Sequence, residues 1–278
     1  MFDARENALE CCFPYNSEKI AQINSSVQLI QERTQRNHHD LLVVLGSGLV
    51  DAVKGFGRDA VVIPVRDLPW AKEPAAEGHG KDIVSVQVEL DGQLYNVLIC
   101  TGRIHLYEGY SPEEICYLPQ IAAMTGVKAA FLTNAGGCLN SWHLGELMAI
   151  TDHVNLSGSS PFSAPVFIDI MRLWDQELTR KIEKYAQRRG VYAILRGPEF
   201  QTYAESVMMR NNGIDMVGMS TILEAIALHQ LGVRVCGVSV TSDLSFSDTP
   251  TEHTEVLRAV REAIPNVQNC IYEILKTI

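Results

Sequence analysis

The sequence predicts an α/β fold in one domain, built on a mixed sheet flanked by helices, and three observations support this class. Short apolar runs rich in β-branched residues alternate with capped or amphipathic helical segments along most of the chain. An Asp-Gly pair between two alternating runs indicates a hairpin, so at least one strand pair is antiparallel. No linker rich in Gly, Ser or Pro interrupts the chain, so we expect a single domain over residues 1–278, with residues 1–40 as an N-terminal helical lead-in.

Eight apolar runs are the predicted strands of this sheet. Asp91-Gly92 separates the third run from the fourth and favours a two-residue hairpin turn. The runs cover residues 41–45, 61–65, 83–90, 94–100, 129–133, 147–150, 191–195 and 233–240.

Capping signals and apolar periodicity predict the helices. Capping boxes of the form Ser/Thr-x-x-Glu begin at Ser111, Thr202, Thr221 and Thr249. The first box predicts a helix that reaches about Met124. Trp174, Leu178, Ile182 and Tyr185 share one face of a further helix, and the segment after residue 249 predicts a long C-terminal helix with a break at Pro265.

Composition limits the classes of function. A chain of 278 residues is long enough to bury a large core, and its formal net charge of -10 argues against nucleic acid as the main partner. No apolar stretch reaches the roughly 18 residues of a membrane span, and the N-terminus lacks a signal pattern. The seven cysteines are odd in number and form no CxxC pair, which is typical of reduced thiols in a cytoplasmic protein.

Ligands of α/β sheets bind beyond the carboxyl ends of strands, so the residues after each run are the candidates. Gly46-Ser47-Gly48 follows the first run, but Asp51 stands where a dinucleotide fingerprint needs its third glycine. The turn can offer backbone amides and one hydroxyl to a single phosphate. A tight turn that merely closes a strand is the alternative.

The segment after residue 100 concentrates polar side chains. Arg103, His105 and Tyr107 point the same way in an extended chain, and an Arg fork beside a His suits an oxyanion. His105 and Glu108 alone make a poor zinc site, so we expect no metal. A surface turn is the bland alternative.

Three later strand ends complete the candidate pocket. Phe200 and Gln201 offer a stacking face and an amide for a heterocyclic base, although Phe200 also fits an ordinary core. Ser220 precedes a helix, where it binds an anion or caps the helix. Asp243 follows a strongly apolar strand, where it serves as a proton donor or acceptor or as a common turn residue. Together these residues describe a pocket with one half for an oxyanion and one half for a planar base.

Seven stretches resemble the trimeric class of purine nucleoside phosphorylases, a family shared with the methylthioadenosine phosphorylases. They are GSGL (46–49), EGHG (77–80), GRIHLYEG (102–109), TNAGG (133–137), GPEFQT (197–202), VGMST (217–221) and EHTEVL (252–257), in family order over roughly residues 41–260. The resemblance implies a twisted, partly barrel-like sheet. It also implies a homotrimer that uses no cofactor or metal and cleaves purine (2′-deoxy)ribonucleosides with orthophosphate to give the free base and ribose 1-phosphate.

The resemblance also implies a role for each site residue. It assigns phosphate binding to Ser47, His79, Arg103, His105, Ser220 and the backbone of Ala135. It assigns ribose binding to Tyr107, Met219 and His253, and base binding to Phe200, Gln201, Val217 and Asp243. His105, Asp243 and Glu108 are the expected catalytic group. Phe162, in the segment that follows residue 154, is the expected aromatic residue that enters the site of a neighbouring subunit.

Two departures from the family pattern concern the base. Most members that act on 6-oxopurines carry Glu where this chain has Gln201 and Asn where it has Asp243. We therefore expect base choice to be relaxed or shifted toward 6-aminopurines. A methylthioadenosine or adenosine phosphorylase is the alternative, against which His253 favours a 5′-hydroxyl. Two further hypotheses for the function are a phosphate-independent nucleoside hydrolase and a non-catalytic nucleoside-binding protein.

Overall fold

The structure is a computed structural model that describes residues 2–14, 16–163, 165–247 and 253–278. The strands in this part of the chain are Leu41–Val44 (β1), Arg58–Pro64 (β2), Asp82–Leu90 (β3), Gln93–Cys100 (β4), Ala129–Cys138 (β5), Leu147–Asn155 (β6), Arg188–Ile194 (β7), Met216–Gly218 (β8) and Arg234–Leu244 (β9). The α-helices are Phe2–Cys12 (α1), Ser17–Thr34 (α2), Pro112–Ile115 (α3), Tyr117–Met124 (α4), Gln176–Ile182 (α5), Tyr203–Asn211 (α6), Ile222–Gln230 (α7) and His253–Leu275 (α8). Among these helices, none has both the length and the apolar character needed to cross a bilayer.

One mixed sheet joins the strands, in the order β2-β3-β4-β1-β5-β8-β7-β6-β9, and β9 also pairs with β5. The last four strands of this order, β8, β7, β6 and β9, therefore close into a barrel-like ring with β5, which confirms the predicted partly barrel-like sheet. The predicted hairpin is confirmed as well, because β3 and β4 are antiparallel. Asp91 (φ 51°) and Gly92 (φ 79°) form its turn, and both residues need the positive φ of a type I′ turn.

The central strands are buried on both faces because helices cover both sides of the sheet. In β1, Leu42 and Val44 point into one apolar core, which α1, α2, α4 and α7 complete. Leu41 and Val43 point into the other core, which α5 and α8 complete. This alternation explains why residues 41–45 read as a continuous apolar run rather than an alternating one.

The structure corrects three predictions of secondary structure. The three-residue strand β8 was not predicted, because so short a run carries little periodicity. The helix predicted from Ser111 is interrupted at Cys116, which ends α3 and begins α4. The helix α8 continues through Pro265, whose exposed position lets water replace the hydrogen bond that proline removes. The predicted start at Thr249 lies outside the described residues.

His39 makes the stability of the fold depend on pH. It is fully buried, and its Nε2 lies 2.7 Å from the Ser85 hydroxyl, which also accepts a hydrogen bond of 2.6 Å from Arg36. Burial, helped by the charge of Arg36, lowers the pKa of His39 to about 4. The unfolded chain has an ordinary histidine pKa of about 6.5, so it takes up this proton first as the pH falls.

We therefore expect the free energy of unfolding to fall as the pH is lowered below about 6.5. Urea unfolding of the native protein and of His39→Gln, each at about pH 7.5 and pH 5, measures the contribution of this one residue. The variant should lose less stability over the same interval. An equal loss in the two proteins would remove His39 as a cause.

Candidate active site

A cavity of about 260 Å³ opens where the carboxyl ends of β1, β4, β7, β8 and β9 meet, beside the last residues of β5. Most residues that the sequence assigns to a site line this one cavity: Ser47, His79, Arg103, His105, Tyr107, Ala135, Phe200, Gln201, Val217, Met219, Ser220 and Asp243. Glu108 lies behind His105, to which it is hydrogen-bonded. Phe162 lies elsewhere, in a surface groove, and the side chain of His253 is outside the described residues.

The Arg103 guanidinium is buried and held on two sides. Its Nε lies 2.9 Å from a carboxylate oxygen of Glu224, and its Nη1 donates to the carbonyl of Thr133. Its Nη2 is buried without a hydrogen-bond partner among the described residues. A buried donor without a partner is costly, so this nitrogen is suited to a ligand acceptor. Because the guanidinium carries a positive charge, the ligand it suits best is an anion.

The capping box predicted at Thr221 is wrong, because Glu224 has another partner. The box requires the Glu224 carboxylate to turn back to the start of its helix, but this side chain is 2% exposed and pairs with Arg103 instead. Thr221 has φ 79° and ψ −48°, and the Ile222 amide donates to the Ser220 carbonyl at 2.9 Å. These values describe a γ-turn with positive φ, which is strained for threonine. The strained turn presents Ser220 to the cavity.

Glu108 organises the wall of the cavity around His105. One oxygen of Glu108 accepts from the His105 amide at 2.7 Å and from His105 Nδ1 at 2.9 Å; the other accepts from the Ala75 amide at 2.7 Å. Burial would raise the pKa of Glu108, but these hydrogen bonds outweigh it and lower the pKa. The ionised carboxylate thus fixes the ring, which stacks on Tyr107 at 4.7 Å between centroids and keeps Nε2 for a ligand.

His79 reaches the same place from the loop that follows β2. Its Nδ1 accepts a 3.3 Å hydrogen bond from the Arg103 amide, which assigns the proton of the neutral ring to Nε2. Burial, with the nearby charges of His105 and Arg103, lowers the pKa of His79 to about 3. At neutral pH the residue is an uncharged ring that donates from Nε2.

The Gly46-Ser47-Gly48 turn offers less to an anion than the sequence suggests. The Gly46 amide donates to the Thr133 hydroxyl at 3.0 Å, and the Gly48 amide donates to the Gly78 carbonyl at 3.1 Å. These two amides are therefore committed within the protein. Gly46 is required for packing, since a Cβ there would lie 2.7 Å from Asn134 Cα. Ser47 is the residue between the two glycines, and it lines the cavity.

The other half of the cavity presents an aromatic ring, an amide and a carboxylate. Phe200 is 76% exposed, so the alternative that it is an ordinary core residue is wrong. Gln201 donates from Nε2 to the Ser245 hydroxyl at 2.9 Å. Asp243 lines the cavity at the end of β9. Such a combination suits a flat heterocycle with hydrogen-bonding edges.

Sequence reasoning missed three residues that shape the site, namely Thr133, Glu224 and Ser245. Thr133 stands in the TNAGG stretch, which offered a signal, whereas Glu224 resembled a capping residue and Ser245 carried no signal. In the described part of the chain, no group of three or more His, Cys, Asp or Glu side chains is arranged to hold a metal ion.

Comparison with known proteins agrees with this geometry. The family model described as "Phosphorylase superfamily" matches residues 40–276. A purine nucleoside phosphorylase of Cellulomonas sp. is 36% identical over 254 residues, which are 89% of this chain and 90% of that protein. One of Mycobacterium tuberculosis is 37% identical over 240 residues, covering 84% of this chain and 88% of its own length.

The fold comparison gives the same family. The structure of Schistosoma mansoni purine nucleoside phosphorylase in complex with adenosine has a TM-score of 0.82 and 26% identity, and covers 93% of this chain and 98% of that one. The Schistosoma enzyme in complex with hypoxanthine gives a TM-score of 0.81 with the same coverage. With a family model over nearly the whole chain and relatives above 30% identity over most of it, the chain belongs to the purine nucleoside phosphorylases of the phosphorylase superfamily.

Proposed function

We propose that the protein catalyses the reversible phosphorolysis of purine nucleosides. An oxygen of orthophosphate forms a bond to C1′ of the sugar while the bond from C1′ to N9 breaks. The electron pair of that bond leaves with the purine, which takes up a proton, and ribose 1-phosphate is the other product. The transition state carries positive charge on the sugar, so an anion held on one face stabilises it. No metal or organic cofactor enters these steps.

The Arg103 guanidinium is the observation that carries the proposal. Arg103 lines the same cavity as Ser47, His105 and Ser220, and its buried Nη2 has no hydrogen-bond partner among the described residues. In the proposal these groups hold phosphate, together with Nε2 of His79 and the backbone of Ala135. Neutral His79 donates a hydrogen bond without adding charge, and Arg103 supplies the positive charge. A hydrolase that uses water would leave such a cationic, buried donor without a task.

The base and sugar occupy the rest of the cavity in this proposal. Phe200 stacks on the purine and Val217 packs beside it, while Gln201 and Asp243 meet its polar edges. The Schistosoma relatives were solved with adenosine and with hypoxanthine, so this fold accommodates both a 6-amino and a 6-oxo base. Tyr107 and Met219 contact the ribose, and His253 its 5′-hydroxyl. Relaxed base choice is the expected consequence of Gln201 and Asp243.

A direct assay tests the reaction. The purified protein is incubated with inosine, guanosine, adenosine and methylthioadenosine, with and without orthophosphate, and the free base is measured. Base release should require phosphate, and both inosine and adenosine should react. Equal release without phosphate would support a hydrolase, and tight binding without release would support a nucleoside-binding protein.

We also infer that the protein is a cytoplasmic homotrimer. The seven cysteines are free thiols, as expected in a reducing compartment. Phe167 is 95% exposed and lines a surface groove with Ile170, and such exposed apolar residues are typical of a protein interface. Phe162 is half-buried against the core of its own chain, so its entry into the site of a neighbouring subunit stays a prediction. Phe167 is the alternative residue for that contact. Sedimentation equilibrium of the native protein and of Phe167→Ser tests the assembly.

A further inference from the structure

The Ser245 hydroxyl is the partner that fixes the amide of Gln201, at 2.9 Å from its Nε2. We propose that Ser245 determines base specificity, because it supports the Gln201 amide in either of two orientations and so lets one pocket bind both 6-oxopurines and 6-aminopurines. This inference rests on the proposed function and adds to it a residue that the sequence did not point to.

Contacts with β5 and α6 hold the segments that carry Gln201 and Ser245 next to each other. The Ser245 amide donates to the carbonyl of Cys138 at 3.0 Å, which ties this turn to the end of β5. The next residue, Phe246, packs edge-on against Tyr203 with 5.6 Å between ring centroids and lies 4.4 Å from the Arg210 guanidinium. Both of these partners belong to α6, which begins two residues after Gln201. The separation between the backbones at Gln201 and Ser245 is therefore set by packing.

The chemistry of the pair permits both orientations. In the structure Nε2 donates to Ser245, which leaves Oε1 as the acceptor for a ligand. When the amide turns by half a rotation, the serine hydroxyl donates to Oε1 instead, and Nε2 becomes the donor for the ligand. The serine hydroxyl changes from acceptor to donor by one rotation of its own, while the amide presents Oε1 to it in place of Nε2.

Purine bases differ at the atom this amide meets. A 6-oxopurine carries a proton on N1 and needs an acceptor, whereas a 6-aminopurine has a bare N1 and needs a donor. Gln201 supplies an acceptor when Ser245 accepts from its Nε2, and it supplies a donor when Ser245 donates to its Oε1. A glutamate at position 201 offers only acceptors, and it therefore selects N1–H. Buried polar groups that lack a partner explain why each mismatch is costly.

Two substitutions at position 245 separate this role from a merely structural one. In Ser245→Asp the carboxylate only accepts, so it holds Nε2 and turns Oε1 toward the base. In Ser245→Asn the amide both donates and accepts, so it controls for the change in size. The readouts are kcat/KM for inosine and adenosine, and the dissociation constants of hypoxanthine and adenine from calorimetry.

For the native protein and Ser245→Asn we expect similar preferences for the two bases. Ser245→Asp and Gln201→Glu should each raise the preference for inosine over adenosine, and for hypoxanthine over adenine, by about tenfold. An unchanged ratio in Ser245→Asp, with native turnover of inosine, would overturn the inference and leave the proposed function standing. If no protein shows phosphate-dependent turnover, the proposed function fails, and the ratio of the two dissociation constants still decides whether Ser245 sets base choice.

Discussion

Replacing Arg103 by methionine is expected to lower phosphate-dependent turnover by about 10²- to 10³-fold, the effect of removing a fixed donor from a developing charge. Arg103 is 3% exposed and lines the cavity, and its Nη2 has no hydrogen-bond partner among the described residues. Methionine keeps the apolar stem but supplies neither charge nor donor. Initial rates at varied phosphate and saturating nucleoside measure the loss, which should be largest in kcat/KM for phosphate.

The same substitution should also destabilise the fold. It leaves the Glu224 carboxylate, 2% exposed, buried without its cation, and breaking such a pair costs about 3–5 kcal/mol. The double variant Arg103→Met with Glu224→Leu removes both charges and should recover much of the stability but none of the activity. Urea unfolding separates the two effects. A single variant with native kinetics for phosphate would exclude Arg103 from the anion site.

The second large effect is expected for Glu108→Ala. Three hydrogen bonds end on this carboxylate, two from His105 and one from the Ala75 amide. Their loss frees the His105 ring and releases the Ala75 loop, so we expect kcat/KM for phosphate to fall by about 10²-fold. Stopped assays with inosine measure this change.

Glu114→Ala is the matched control for Glu108→Ala. Glu114 makes the same capping contact, accepting from the Ser111 amide at 2.9 Å, but Ser111 does not line the cavity, whereas His105, the partner of Glu108, does. Its removal should weaken α3 and leave the kinetics near native. If both variants lose the same activity, the effect of Glu108 comes from general destabilisation rather than from His105.

Local signals explain which parts of the molecule could be predicted. The Asp91-Gly92 turn and the capping boxes at Ser111 and Thr202 depend on neighbours within a few residues, and the structure has all three. The strand ends could be ranked as candidates because parallel strands bring their carboxyl ends to one edge. Residues that this rule selected, from Ser47 to Asp243, line one cavity in the structure.

Long-range partners explain what could not be predicted. Glu224 has the spacing of a capping residue, yet a partner 121 residues away takes its carboxylate. The Gly46 and Gly48 amides looked available until the structure showed their acceptors, which are Thr133 and Gly78. Ser245 lies beside Gln201, 44 residues away in sequence, in a turn that packs on α6. In each case, a contact between distant segments outweighed the local preference.

The identity of the sugar product distinguishes phosphorolysis from hydrolysis. The native protein is incubated with inosine and orthophosphate, and ³¹P NMR follows phosphorus while the released hypoxanthine is measured on the same sample. We expect one equivalent of ribose 1-phosphate for each equivalent of base, with a matching loss of orthophosphate. Free ribose in equal amount to the base, with the phosphate signal unchanged, would contradict phosphorolysis.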